Sequence, residues 1–296
     1  MQMLGAWDGC PSVRGSTLLR VVLLLVTLLV VSLARAQDTS MVPVVVDGQS
    51  VRLEMRIYKP STEGKVPTLV FNHGSTGNGR DPNLFTKSQD FPQLAQFFVQ
   101  RGWVVVMPSR RGRGGSEGEY DEGFASDRSR GYTCEPSLSI PGADRALRDI
   151  EASIGAILTM PFVDPNRIVI GGQSRGGILS VAYAGQHPEQ VKGVINFVGG
   201  WLGEGCPTAG IVNQTLFERG AHYGRPTIWL YGSGDRFYSI EHSRGNFAAF
   251  EKAGGQGTFL DFNLPVGRGH FVVGHPDLWS APIDAYLGSL ANTEKR

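Results

Sequence analysis

Apolar and charged residues alternate along the first stretch of the chain that has a clear periodicity. In VRLEMRIYKP, residues 51–60, every second residue is apolar, which predicts a strand with one buried face and with Glu54 on the polar face. MVPVVV at 41–46 predicts its hairpin partner, and Asp47-Gly48 predicts the turn between them. The fold is therefore expected to start with an antiparallel pair of strands.

After this hairpin the pattern changes to short, wholly apolar runs separated by longer amphipathic segments. The runs are TLVFN (68–72), WVVVMP (103–108), RIVIGG (167–172), VKGVINFV (191–198), TIWLYG (227–232) and TFLDFN (258–263). The segments between them predict helices at 92–100, 142–159, 175–187, 240–253 and 277–290. Buried strands that alternate with helices predict an α/β fold with a mostly parallel sheet of about eight strands and helices on both faces.

Ligands of such sheets bind at the carboxyl ends of the strands, so the chemistry is expected in the loops that follow the apolar runs. Two of these loops are long. Residues 109–140 are rich in Gly, Arg and acidic residues, and residues 199–225 predict a small cap-like insertion with a short helix. Residues 37–296 have the length of one α/β domain.

The pattern Gly-x-Ser-x-Gly occurs around both Ser174 and Ser116, in a chain with 40 glycines. Ser174 follows the run IVI directly and precedes ILSVAYAGQH, so it is expected in the sharp strand-to-helix turn of a nucleophile elbow. Ser116 lies farther from its strand, and GEYDEGF after it does not start a helix. We predict that Ser174 is the nucleophile and that Ser116 belongs to a glycine-rich surface loop.

A serine nucleophile needs a base, and the base needs a carboxylate that orients it. TIWLYGSGDRF supplies Asp235 after a strand and a glycine turn, and LPVGRGHFVVGHPDLW supplies His270. His275 is the rival base. It lies at the start of the last predicted helix, where the helix dipole disfavours a positive imidazole, so His270 is preferred.

An oxyanion formed at Ser174 needs two hydrogen-bond donors. The backbone N–H of Arg175 follows the nucleophile and is the first predicted donor. NHGSTGN (72–78) follows the strand TLVFN, and the N–H of Ser75 is the predicted second donor. His73 is expected to orient this loop and not to act as the base, because it precedes the nucleophile in the chain.

Together these stretches resemble the α/β-hydrolases, and within them the dienelactone-hydrolase and prolyl-oligopeptidase-like branch with a serine nucleophile. NHGSTGN, PSRRGRGGSEGEY, FVDPNRIVIGGQSRGG, YGSGDRF and GRGHF carry the resemblance, over about residues 50–290. Ser174, Asp235 and His270 obey the order Ser, acid, His of that fold. The chain departs from dienelactone hydrolases, which have a cysteine nucleophile, and from oligopeptidases, which have a large propeller domain before the catalytic one.

The resemblance implies a serine esterase that cleaves a small or polymeric carboxylic ester through an acyl-enzyme, with no metal and no organic cofactor. Acyl transfer to an alcohol, peptide hydrolysis and a non-catalytic binding module remain as alternatives. The arginines near the predicted site favour either an acidic or polar acyl group or ion pairs within their own loop. These arginines are Arg110, Arg111, Arg113 and Arg175, and the acidic residues of the loop are Glu117, Glu119, Asp121 and Glu122.

Residues 1–36 predict a secretory signal peptide and not part of the fold. VVLLLVTLLVV at 21–31 is an unbroken apolar run after two arginines, and Ala34 and Ala36 form an Ala-x-Ala cleavage site. The run is shorter than the roughly 18–20 residues that cross a bilayer, so an uncleaved anchor is the second choice. We expect a periplasmic or secreted protein that has no membrane contact after cleavage.

Charge and cysteine content argue against nucleic acid and zinc as binding partners. With 28 Lys and Arg against 27 Asp and Glu, the formal net charge is +1, which gives no electrostatic case for nucleic-acid binding. Cys10 lies in the predicted signal peptide, and Cys134 and Cys206 are too far apart in sequence to resemble paired zinc ligands. In an oxidising compartment a disulfide between them is the favoured prediction, with two buried thiols as the alternative.

Overall fold

One sheet of eight strands forms the centre of the described part of the chain. The computed structural model describes residues 36–293, so the predicted signal peptide lies outside the described residues apart from Ala36. The strands are β1 Ala36–Val46, β2 Gln49–Lys59, β3 Val66–Asn72, β4 Val104–Pro108, β5 Val163–Gln173, β6 Gly193–Phe197, β7 Pro226–Gly232 and β8 Gln256–Phe262. Their order is β1-β2-β4-β3-β5-β6-β7-β8, and every pair from β4 to β8 is parallel. The predicted fold class is confirmed.

The antiparallel edge is the predicted hairpin. β1 pairs with β2 in a register that brings Val46 opposite Gln49, and β2 also pairs antiparallel with β4. Asp47 and Gly48 have φ angles of 52° and 73°. Two left-handed residues in a two-residue loop match the twist of the flanking strands, which is why Asp-Gly suits this position.

Alternation predicted that Glu54 of β2 lies on the exposed polar face of the strand, but the structure buries it. The residue is 8% exposed, and its carboxylate accepts a hydrogen bond from the backbone N–H of Gly115 at 2.9 Å. The glycine-rich loop that follows β4 lies across this face and covers it. Alternation within β2 holds no information about a loop some sixty residues away, so the prediction was wrong here.

In residues 36–293 six α-helices flank the sheet. They are α1 Pro92–Val99, α2 Pro136–Leu158, α3 Arg175–Gln186, α4 Ala209–Gly220, α5 Ile240–Lys252 and α6 Pro276–Thr293. Helix α4 packs against α2, α3 and α5, α2 also packs against α3, and α1 packs against α6. Among the helices of residues 36–293, none is long and apolar enough to cross a membrane.

Helix α2 begins at Pro136, six residues earlier than predicted. Pro136 occupies the first turn, where a missing N–H costs nothing. Pro141 lies inside the helix and removes a single backbone hydrogen bond, which packing offsets. Gly142 packs so closely that a Cβ there would lie 2.1 Å from the backbone nitrogen of Gly123. Pro-Gly at 141–142 thus marks a close approach of two segments and not the start of the helix.

Candidate active site

Ser174 lies between the last residue of β5 and the first of α3. Its φ of 57° and ψ of −123° are strained for a residue with a side chain. The flanking glycines make this turn possible, because a Cβ at Gly172 would lie 2.3 Å from the carbonyl carbon of Gly176, and one at Gly176 would lie 2.0 Å from the Asn72 carbonyl oxygen. The strand-turn-helix geometry of a nucleophile elbow is therefore present at Ser174.

Backbone hydrogen bonds hold Ser174 in this turn. Its N–H donates to the Phe197 carbonyl at 3.0 Å, and its carbonyl accepts from the N–H of Gly200 at 3.2 Å. The N–H of Arg175 belongs to the first turn of α3, where backbone donors have no acceptor within the helix. This places a free donor and the positive end of the helix dipole beside the Ser174 side chain.

Asp235 and His270 form a direct pair. His270 Nδ1 lies 2.8 Å from Asp235 Oδ2, and the carboxyl group is almost fully buried. The other oxygen of Asp235 accepts from the N–H of Phe237 at 2.7 Å. Because a carboxylate only accepts, Nδ1 carries the proton and Nε2 is left as the acceptor nitrogen. Ser174 and His270 line the same cavity, so the structure brings the three predicted side chains to one place.

Gln173 was not predicted from the sequence, although it lies within the Gly-x-Ser-x-Gly pattern. Its Nε2 donates to the His270 carbonyl at 2.9 Å, and a Cβ at Gly74 would lie 2.8 Å from its Oε1. The side chain therefore links the loop of the base to the loop after β3. The Gly-x-Ser-x-Gly pattern accepts any residue at this position, so only the hydrogen bond to His270 reveals the role of Gln173.

The loop after β3 also lies beside the nucleophile. A Cβ at Gly74 would lie 3.1 Å from the Cβ of Ser174, and Ser75 lines the cavity. Gln89 holds this loop, because its Oε1 accepts from the N–H of Gly74 at 2.9 Å and its Nε2 donates to the Ser75 carbonyl at 2.9 Å. The structure thus brings Ser75 and Arg175, the predicted oxyanion donors, to the same cavity.

His73 is buried, and both of its ring nitrogens contact groups other than Ser174. Its Nε2 accepts from the N–H of Arg110 at 3.1 Å, and its Nδ1 lies 2.8 Å from the Gly74 carbonyl oxygen. The ring is therefore neutral, with the proton on Nδ1. Burial, followed by the positive charges of Arg110 and Arg113, holds the pKa of His73 well below its usual value. Its contacts support the predicted orienting role.

Ser116 is a structural residue. The sequence predicted it in a surface loop, whereas the structure buries it. Its hydroxyl donates to the Ser109 carbonyl at 2.6 Å and accepts from the N–H of Glu54 at 2.8 Å. These bonds fasten the glycine-rich loop to β2. With both the donor and an acceptor site in use, and with no helix start behind it, Ser116 has none of the features of an elbow nucleophile.

The four arginines of the predicted site are all at least 96% buried. Arg110 forms an ion pair with Glu122, and Arg175 NH1 donates to the Glu122 carbonyl at 2.7 Å. Burial acts to raise the pKa of Glu122, but Arg110 and the other arginines outweigh it and lower that pKa. Of the two alternatives, pairing with an acid of the loop therefore holds for Arg110 and Arg175, and Glu122 is the partner of both.

Arg111 and Arg113 have other partners. Arg111 Nε lies 2.5 Å from Asp149 Oδ1 of α2, and its NH1 lies 2.9 Å from Asp47 Oδ2. Arg113 donates to the Gly74 carbonyl at 3.3 Å. The prediction that these residues pair with acids of their own loop was wrong, because Arg111 reaches acids of α2 and of the β1–β2 turn and Arg113 bonds to the loop after β3.

The cavity at the carboxyl ends of β5 to β8 has a volume of about 340 Å³. Aromatic residues form much of its wall, together with Ser75, Leu202 and Cys206. The aromatic residues are Tyr132, Trp201, Phe237 and Tyr238. Its charged wall residues are the two arginines Arg175 and Arg236, and among the described residues that line it there is no Asp or Glu. In residues 36–293 no group of three His, Cys, Asp or Glu side chains is placed to hold a metal.

Residues 199–225, predicted to form a cap-like insertion, divide into two parts. Trp201, Leu202 and Cys206 line the cavity, whereas α4 packs against α3 and α5. The sulfur atoms of Cys134 and Cys206 are at bonding distance, with Cα atoms 5.5 Å apart. This is the geometry that the predicted disulfide needs, and it would tie the cavity wall to the loop before α2.

Comparison with known proteins gives a family match over more than half of the chain. Residues 47–225 match the family described as X-Pro dipeptidyl-peptidase (S15 family). The matched stretch contains Ser75, Ser174 and Arg175 and ends before Asp235 and His270.

Relatives and solved structures include both esterases and peptidases. The quorum-quenching protein AidA of Acinetobacter baumannii is 27% identical over 131 residues, which are 44% of this chain and 35% of AidA. The chain thus spans about a third of that relative. An acetyl xylan esterase from Paenibacillus sp. R4 superposes with a TM-score of 0.57 at 16% identity, over 93% of this chain and 96% of that one. An acylaminoacyl peptidase of Pyrococcus horikoshii gives 0.57 at 17% identity, over 84% of this chain and 40% of that one.

Proposed function

The chain belongs to the X-Pro dipeptidyl-peptidase family S15 and is a hydrolase of the α/β-hydrolase kind, and from this premise we propose that it is an exported serine hydrolase of carboxylic esters. In this proposal Ser174 is the nucleophile, His270 the base and Asp235 the carboxylate that orients the base. The pairing of His270 with Asp235 at 2.8 Å beside the strained Ser174 supports these roles.

The reaction follows from the positions of the protons. With the Nδ1 proton held by Asp235, His270 Nε2 takes the proton of the Ser174 hydroxyl as its oxygen attacks the acyl carbon. The same nitrogen then gives that proton to the leaving alcohol, and an acyl-enzyme remains. Water repeats the sequence and releases the acid. Asp235 stabilises the imidazolium during each transfer.

The oxyanion of each tetrahedral intermediate is assigned to the N–H groups of Ser75 and Arg175. Both residues line the cavity, and the strained turn and the Gln89 side chain fix their backbones before substrate arrives. Fixed donors cost no reorganisation when charge develops on the substrate oxygen. Removing one such donor costs about 100- to 1,000-fold in kcat in a well-studied protease.

The charge of the cavity wall is the observation that carries the choice of ester over dipeptide. A dipeptidyl-peptidase removes two residues from a chain whose first residue has a free, positive α-amine. Among the described residues that line this cavity, the charged ones are Arg175, which pairs with Glu122 at 3.6 Å, and the exposed Arg236, and none is an Asp or Glu. Burying an ammonium group with no carboxylate to pair with it is unfavourable. The wall suits a neutral or negative acyl group.

Three substrates test this choice. We expect p-nitrophenyl butyrate to be hydrolysed, and we expect Ala-Pro-p-nitroanilide to gain nothing over the same anilide with its amine acetylated. Ser174→Ala is the control that separates enzymatic from spontaneous release of the chromophore. Rapid cleavage of the anilide with the free amine, together with rejection of the acetylated one, would assign the protein to dipeptide release instead.

Export is the remaining part of the proposal, and the pattern of residues 1–36 supports it. N-terminal sequencing of the protein from a secreting host tests it, with a mature chain starting at Gln37 as the expected result. A cell-associated protein that retains residues 1–36 would contradict it.

A further inference from the structure

Tyr238 is a cavity residue to which the triad gives no role. It lines the cavity and is 4% exposed. It lies three residues after Asp235, whose Oδ1 accepts from the backbone N–H of Tyr238 at 3.3 Å. The carboxylate that orients the base therefore also fixes the backbone that presents this phenol.

The hydroxyl of Tyr238 is directed toward the nucleophile. A Cβ at Gly200 would lie 2.9 Å from this hydroxyl, and the N–H of Gly200 donates to the Ser174 carbonyl at 3.2 Å. The Tyr238 and His270 rings have centroids 5.7 Å apart. Burial raises the pKa of the phenol well above its usual value, and the nearby Ser174 side chain offsets part of that rise. The phenol thus keeps its proton, and its O–H can donate to a group bound in the cavity.

The position of Tyr238 differs from that of the oxyanion donors. In the sheet, β5 lies between β3 and β6. Gly74 and Ser75 follow β3 and approach Ser174 from that side, whereas Gly200 follows β6 and marks the side of the Tyr238 hydroxyl. His270 contacts the Tyr238 side. The base delivers its proton to the leaving group, so the leaving group must lie beside His270, whose ring centroid is 5.7 Å from that of Tyr238.

We propose that the Tyr238 hydroxyl donates a hydrogen bond to the leaving-group oxygen as the ester bond breaks. This inference rests on the proposed triad. The proton that ends on the departing alcohol is the one that His270 took from Ser174, the acyl carbon–oxygen bond breaks, and Tyr238 keeps its own proton. Its hydrogen bond stabilises the negative charge that develops on the oxygen before that proton arrives.

The test is Tyr238→Phe, assayed with two esters of the same acid. An alkyl ester has a poor leaving group that needs help, whereas a p-nitrophenyl ester releases a stable anion that needs little. We expect kcat/KM for the alkyl ester to fall about tenfold to a hundredfold, as expected for a hydrogen bond to a group that gains charge, and kcat/KM for the nitrophenyl ester to fall much less. Because kcat/KM reports the steps up to acylation, slow deacylation does not obscure the comparison.

Tyr231→Phe is the matched control. Tyr231 is buried, and its hydroxyl donates to the Gly199 carbonyl at 2.8 Å instead of facing Ser174. Any loss in this variant should be equal for the two esters. Titration of each variant with a fluorophosphonate counts the competent sites, so that misfolding does not imitate a slower reaction.

The outcomes separate this inference from the proposed function. If Ser174→Ala is inactive while Tyr238→Phe loses nothing, or loses the same factor for both esters, the triad stands and the role of Tyr238 is refuted. If Ser174→Ala hydrolyses both esters normally, the proposed function itself fails. A loss confined to the alkyl ester supports the hydrogen bond to the leaving group.

Discussion

At the scale of single residues, hydrogen-bond partners distinguish a candidate nucleophile from a structural serine. Ser174 and Ser116 share one sequence pattern, yet Ser116 donates to the Ser109 carbonyl and accepts from the N–H of Glu54, so its hydroxyl is already engaged. Ser174 instead has a left-handed backbone in front of a helix and lines a cavity. Strain of this kind persists only where the surrounding structure imposes it.

The two histidines of the last loop provide the first prediction. His270→Ala should be nearly inactive in ester hydrolysis, because it removes the partner of Asp235. His275→Ala should keep most of the activity. His275 does not line the cavity, and its backbone N–H, which donates to the Val272 carbonyl, is unchanged in the variant. Steady-state kinetics of the two variants decide between them, and the reverse ranking would exchange their roles.

His73 gives a prediction for the pH dependence of stability. The folded ring stays neutral well below its usual pKa of 6.5, whereas the unfolded ring is protonated below that pH. Its contribution is therefore complete above pH 6.5 and is lost as the pH falls, by about 1.4 kcal/mol per pH unit until the folded ring titrates.

Urea unfolding of the wild type and His73→Gln between pH 8 and pH 5 measures this contribution. The difference in unfolding free energy should be constant above pH 6.5 and should shrink in favour of the variant below it. Because both proteins contain His242, whose pKa is also lowered by burial, its effect cancels in the difference. Parallel curves would show that the folded ring of His73 takes up its proton at the same pH as the unfolded ring, which would contradict the prediction.

At the scale of elements, the loops after the strands hold the site together. Gln173 joins the His270 loop to the β3 loop, and Gln89 fixes the β3 loop. The glycine-rich loop is held by buried ion pairs of Arg110 with Glu122 and of Arg111 with Asp149. Breaking one partner of such a pair leaves an uncompensated buried charge, which is why these arginines act in the scaffold.

Cys134 and Cys206 give a prediction at this scale. Thiol titration of the denatured, unreduced protein, purified after export, should find no free thiol in residues 37–296. Such a bridge would close a loop between residues 72 apart, for which the chain-entropy relation gives roughly 4 kcal/mol. Reduction should lower the free energy of unfolding by up to that amount, and, because Cys206 lines the cavity, it should also raise KM. Two titratable thiols would refute the bridge.

At the scale of the whole molecule, the parts that follow a local rule were predictable. Apolar runs gave the strands, and the elbow, the acid and the base were expected at the carboxyl ends of their strands, where the structure places Ser174, Asp235 and His270. Glu54 and Arg111 were misjudged because their partners are distant in sequence. Tyr238 was missed because nothing in GSGDRFY marks a phenol that turns toward another strand's loop.

The covalent adduct of a fluorophosphonate tests the central claim, that Ser174 is the nucleophile of a hydrolase. Mass mapping of the labelled protein should find the phosphonate on the peptide that contains Ser174. Ser174→Ala should take no label and lose activity by on the order of a millionfold, as in a well-studied serine protease, while Ser116→Ala should label normally and keep more than half of the activity. A label on Ser116, or equal losses in the two variants, would contradict the account.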